Sequence, residues 1–265
     1  MSDIDLRHLL AMLDDPDENI AVSVMGELLR HSDELPDLLC EMQEADDPLL
    51  RKRVQQLESI LLMQQRRKEF LKLLEQDSCD IVQGLIELHL LWFDRDSQTE
   101  LHETVAAFIS EFHHDNITSL EEIEFFMRQK NFLPENESTI KVENYCLGAI
   151  LDRRTGAASV LMALACELAG KDKFRLVRTL DNFGIADSQG MLLLGNNSWR
   201  LCRAPDKNSM EFWDNRMLLQ YVASTLLACA VNSDSYRYVM SISQAISGDE
   251  SEHVFDGFPY PFCSS

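Results

Sequence analysis

The run Ala157-Ala158-Ser159-Val160-Leu161-Met162-Ala163-Leu164-Ala165-Cys166-Glu167-Leu168-Ala169 constrains this chain more than any other feature. From 158 to 169 it is apolar on nearly every face of a helix, so the helix it predicts must be covered on all sides. Gly156 is expected to permit the tight entry into its first turn. Covering such a helix takes surrounding structure, and 265 residues with 45% hydrophobic content are enough to build it. After Gly170 the period changes. Short apolar runs at 174–180, 183–186, 191–194 and 199–202 are separated by Asp187-Ser188-Gln189-Gly190 and Gly195-Asn196-Asn197. That punctuation predicts an antiparallel meander. The class is therefore α+β, mostly helical overall, with a buried helix laid against a small antiparallel sheet.

The first 78 residues follow a different rule. Asp14-Asp15-Pro16 and Asp46-Asp47-Pro48 lie at an offset at which Val22 matches Val54, Met25 matches Leu57, Leu28 matches Ile60 and Leu29 matches Leu61. Matched apolar positions at i, i+3, i+6 and i+7 share one helix face, and each Asp-Asp-Pro supplies capping carboxylates and a proline tolerated in a first turn. This resembles a pair of HEAT-like helical hairpins. A helix over 48–77 carries Arg51, Lys52 and Arg53 and then Arg66, Arg67 and Lys68, read as a solvated face balanced by Glu58, Glu69 and Glu75. The expected organisation is a helical, HEAT-like domain over 1–78 and a core domain over 79–265. Further helices are expected at 80–93, 100–112, 119–128, 214–231 and 235–246. Ser119-Leu120-Glu121-Glu122 offers an N-cap at the third of these.

Charge and composition exclude several functions. With 24 Lys+Arg against 45 Asp+Glu the net charge is -21, which disfavours nucleic acid and anionic membrane, since phosphate binding draws its affinity from cations that displace counterions. No apolar run approaches the length of a spanning helix. The N-terminus lacks a signal-peptide pattern, so a cytoplasmic location is expected. Seven scattered cysteines without C-x-x-C spacing predict buried thiols rather than disulfides or a zinc knuckle. His113-His114-Asp115 is the densest group of metal-ligand types, but adjacent histidines diverge by about 100° on a helix and cannot share a metal well. No metal or cofactor is expected.

The segment Glu143-Asn144-Tyr145-Cys146-Leu147-Gly148-Ala149-Ile150-Leu151-Asp152-Arg153-Arg154-Thr155-Gly156 leads into the buried helix. It resembles the SirB family of transglutaminase-like proteins, in which Asn-x-Tyr-Leu precedes Leu-x-Arg-Arg-x-Gly and the core helix. Asp80-Ile81-Val82-Gln83-Gly84-Leu85 and Asn131-Phe132-Leu133 look like that family's lead-in, and the resemblance fades after about 205. It implies a transglutaminase/papain-like core. In the active superfamily a Cys at the start of the core helix attacks a carbonyl, a His on the following strand activates it, and an Asp or Asn on the next strand orients the His.

Carried over residue by residue, those roles fall on unsuitable side chains. The nucleophile's turn holds Ala157, Ala158 and Ser159. The base position is Asn182, before Phe183, and Asn has no proton affinity near neutral pH. The orienter's place is taken by Ala204, before Pro205. Between His114 and His253 the chain has no histidine at all. Arg153 and Arg154 match the family's paired arginines and are candidates for holding an anionic ligand.

The resulting expectation is a non-catalytic transglutaminase-like protein, a binding, scaffold or regulatory module with a protein or peptide partner. The alternatives are a thiol hydrolase or acyl transferase using an offset cysteine or Ser159 with a base from His113, His114 or His253, and a structural protein whose homo-oligomer forms through the aromatic tail (Phe255, Phe258, Tyr260, Phe262).

Overall fold

The computed structural model describes residues 6–32, 34–115, 117–138, 140–170, 172–180, 182–204, 209–233 and 235–247. The C-terminal aromatic residues, Asp181 and Pro205 lie outside them. The described chain divides into two compact units, 6–66 and 67–247, and the division falls between Arg66 and Arg67, inside one long helix.

The first unit is helical: α1 (Leu6–Ala11), a 3-10 turn (Met12–Asp14), α2 (Glu18–Leu29), α3 (Leu35–Met42) and the first part of α4 (Pro48–Glu75). The two Asp-Asp-Pro copies do the same local work. Asp15 Oδ1 accepts from the Asp17 N–H and Asp47 Oδ1 from the Leu49 N–H, both at 2.8 Å. They then diverge: Pro48 is the first residue of α4, whereas Pro16 stands outside α2, whose N-cap is Asp17. Met25, Leu28, Leu57 and Ile60 enter one core cluster with Leu10, Leu13, Leu35 and Leu39, while Val22, Leu29 and Leu61 are half-buried. Arg53 departs from the expected solvated face. It is 7% exposed, and its guanidinium donates to the carbonyls of Leu13 and Asp15. A turn that leaves backbone acceptors inside the fold needs such a donor.

The second unit holds the rest: α5 (Ile81–Trp92), α6 (Gln98–His114), α7 (Leu120–Gln129), β1 (Leu133–Glu135), a 3-10 turn (Val142–Asn144), α8 (Leu147–Arg153), β2 (Thr155–Ala157), α9 (Ala158–Ala169), β3 (Phe174–Arg178), β4 (Phe183–Asp187), β5 (Met191–Gly195), β6 (Trp199–Arg203), β7 (Glu211–Phe212), α10 (Asn215–Asn232) and α11 (Tyr236–Ser247). β3 to β7 form an antiparallel sheet of order β6-β5-β4-β3-β7, and β1 pairs in parallel with β2. The expected mixture of helices and a small antiparallel sheet is present. The capping box at Ser119 and Glu122 forms as its spacing predicts.

α9 is buried from Ala158 through Cys166, packed on the sheet and on α5 and α10. Its close approach to the sheet depends on Gly195, where a Cβ would stand 2.6 Å from Met162 Cε and 3.1 Å from Ala158 Cβ. Gly156 plays a different part from the one expected. It lies in β2, paired with Pro134, and a Cβ there would meet the Ile150 side chain at 2.9 Å; the need for glycine is space rather than a turn. α5 is a second helix buried on all sides, and Gly84 lets it approach Leu219 of α10.

A carboxylate on the N-terminus of the core helix

α9 begins without a local cap. Its N-cap is Ala157, which has no side-chain acceptor, so the first amides of the helix need a partner from elsewhere. Glu137, in the loop after β1, supplies it. Its Oε1 accepts from the Ser159 N–H at 2.7 Å, and its Oε2 accepts from the Tyr221 hydroxyl of α10 at 2.5 Å. A carboxylate is the group that the positive end of a helix dipole favours. The Tyr145 hydroxyl, just ahead of α8, adjoins both Glu137 and Tyr221. Burial, and then the charge of Glu137, holds the Tyr145 pKa above its ordinary value; burial, and then the bond to Glu137, does the same for Tyr221. Both phenols therefore stay neutral and keep the proton they donate. Ser159 is fully buried, and its Oγ has no hydrogen-bond partner.

Aromatic rings flank this carboxylate. Phe183, Trp213 and Tyr221 pack on one another with ring centroids 4.9–5.5 Å apart, and the exposed Arg178 lies 5.8 Å from the Phe183 ring and 5.4 Å from the Trp213 ring. Trp213 also lines a cleft of about 670 Å³ with Cys79, Cys166, Glu167, Arg175 and Asn215. At its edge Asn215 Nδ2 donates to Cys79 O and Glu167 Oε2, both at 2.8 Å. The Trp213 Nε1 is buried without a hydrogen-bond partner.

The positions singled out from the sequence part company here. Ala158, Ser159 and Phe183 belong to the α9 face of the sheet. Ala158 is packed interior, 3% exposed. Asn182 precedes β4, and its carbonyl accepts from the Thr179 N–H and hydroxyl, which closes the β3–β4 turn. Ala204 stands apart from them. It packs with Val177, Ala186, Leu192 and Cys202 on the opposite face, as strand alternation requires. The two arginines occupy different surroundings. Arg153 is exposed, while Arg154, at φ 56°, ends α8 and places its guanidinium 4.9 Å from the Phe132 ring. His113 and His114 end α6 on the surface, and among the described residues no group of three or more His, Cys, Asp or Glu has metal-site geometry.

Sequence reasoning missed Glu137, Tyr221 and Trp213, and also the buried His89. His89 is 2% exposed, with Nε2 3.0 Å from Asp96 Oδ2 and its ring against Gly148. The thiol at that end of α8, Cys146, is fully buried. Burial, then the neighbouring Cys229, Glu143 and Asp96, pushes its pKa up, the reverse of what a thiolate nucleophile requires. No local signal in the sequence pointed to Glu137, which lies 22 residues before the amide it caps. Comparison with protein-family models, curated proteins and solved structures returned no match.

Proposed function

We propose that this chain is a non-catalytic, transglutaminase-like binding protein, in which the core helix and sheet are kept as a recognition scaffold for a protein or peptide partner. The observation that carries the reading is the Glu137 carboxylate on the Ser159 N–H, at the turn where the resemblance puts the nucleophile. An acid seated there repels a developing oxyanion and fills the space a substrate carbonyl would need. The other roles point the same way: Asn182 cannot take a proton, and Ala204 packs on the far face of the sheet. The cleft beside Trp213 is the surface for a ligand, with Arg175, Glu167 and Asn215 as its polar groups.

Alkylation of the native protein at neutral pH, followed cysteine by cysteine with mass spectrometry, tests this. Cys40 is exposed and should react at the rate of the denatured control, whereas buried Cys79, Cys146, Cys166 and Cys229 should be protected. A cysteine that labels far faster than its denatured control identifies an activated thiol and overturns the reading in favour of a thiol hydrolase or acyl transferase.

A further inference from the structure

We propose that the N-terminus of α9 is a binding site for an external carboxylate joined to an apolar group, and that Glu137 fills this site in cis until such a ligand displaces it. The inference rests on reading the chain as a binding protein and adds a second site to it, next to the cleft that Arg175, Glu167 and Asn215 line and sharing Trp213 with it. Two donors converge on one carboxylate, the Ser159 N–H and the Tyr221 hydroxyl, and the Tyr145 hydroxyl adjoins the pair. The Ser159 amide belongs to a residue that is 0% exposed, and the adjoining Tyr145 is 1% exposed. Such a donor is costly to bury unless an acceptor receives it, and at a helix N-terminus a carboxylate is the acceptor the dipole favours.

A second observation is a polar group of the same turn that Glu137 does not engage. The Ser159 Oγ, in the same first helical turn, is fully buried and has no partner. A loop glutamate satisfies the amide and the phenol but leaves this hydroxyl idle; a carboxylate arriving from outside is not tied to that loop's reach. The way in is marked as well. Glu137, Tyr221 and Trp213 are half-buried rather than sealed, and the exposed Arg178 provides a positive charge beside their rings. The Phe183–Trp213–Tyr221 cluster next to the carboxylate selects an apolar or aromatic group on the ligand. A peptide ending in an aromatic residue and a small aryl-substituted acid share this chemistry.

The competition makes the test decisive. The full-length protein is titrated with N-acetyl-phenylalanine, with its C-terminal amide and with acetyl-Gly-Gly-Phe, following heat and tryptophan fluorescence, in wild type, Glu137→Ala and Glu137→Gln. The free acids should bind Glu137→Ala at least tenfold more tightly than wild type, with Glu137→Gln between them, and the amide should bind at least tenfold more weakly than the acid. Tripeptide binding tighter than that of the amino acid assigns the site to peptide C-termini; equal binding assigns it to small acids. If the amide binds as well as the acid, or removing the Glu137 charge leaves the affinity unchanged in a variant whose circular dichroism is native, the site is overturned. That result with protected cysteines leaves the binding-protein reading standing, which separates the two.

Discussion

Helices α2 and α9 have the same length, 12 residues, and solve the same end problem in opposite ways. α2 buries one stripe, Ala21, Val24, Met25 and Leu28, and caps itself with Asp17, whose Oδ1 accepts from the Asn19 N–H at 2.9 Å. α9 buries every residue of its first nine, and its N-cap, Ala157, has no side chain that can accept a hydrogen bond. Its acceptor arrives from Glu137, 22 residues back in the chain. Burial alone does not force this: α5 is also buried on all sides, yet Asp80 just ahead of it accepts from the Val82 and Gln83 N–H, whereas α9 has Ala157 at that place and takes its cap from another element. That difference turns an ordinary helix end into a polar site inside the core.

The largest effect should come from the packing side of this comparison. Leu161→Ala, at a fully buried position of α9, should cost about 2–5 kcal/mol, and the half-buried Leu29→Ala of α2 clearly less. Trp92, Trp199 and Trp213 all belong to the second unit, so urea unfolding followed by tryptophan fluorescence reads the α9 variant directly. Equal losses for the two variants would mean that all-round burial of α9 adds no stability.

The caps come next. Glu137→Ala strands the Ser159 N–H and the Tyr221 hydroxyl in a partly buried setting, an expected loss of about 1–3 kcal/mol. Asp17→Ala, at an exposed end open to water, should cost about 0.5–2 kcal/mol. Denaturation midpoints for the pair rank them, and a costlier Asp17 variant reverses the comparison.

The smallest effect is a slope in pH. Burial raises both Tyr145 and Tyr221, so above about pH 10 the unfolded chain releases phenol protons that the folded chain keeps. The folded state then binds more protons, and stability falls as pH rises. The contribution is fully present below about pH 10 and is lost as pH climbs toward the raised folded values. Tyr221→Phe removes one of the two groups, so melting temperature should fall less steeply between pH 9 and 11.5 than in wild type. Parallel slopes would show that Tyr221 titrates in the folded protein as it does in the unfolded chain.

Much of the fold was legible in the sequence, because periodicity and local chemistry act over one or two turns. The helix at 158–169 and the strands starting at 174, 183, 191 and 199 were readable from apolar spacing and turn residues. The two-residue β7 and the parallel β1–β2 pair were not, since such short pairings carry no period of their own. Arg53 was misread for a related reason: a cation among charged neighbours looks solvated until the carbonyls of Leu13 and Asp15 close over it.

The sequence by itself determined that a helix apolar on all sides sits at 158–169, that a meander follows it, and that no histidine lies between 114 and 253. Only the tertiary structure decided what caps that helix. Glu137, Tyr145, Tyr221 and Ser159 come from four separate stretches, and no spacing rule relates them. They meet because α9 packs against the sheet and α10, which sets its N-terminus beside Tyr221, and a buried amide there must find an acceptor wherever the fold can bring one.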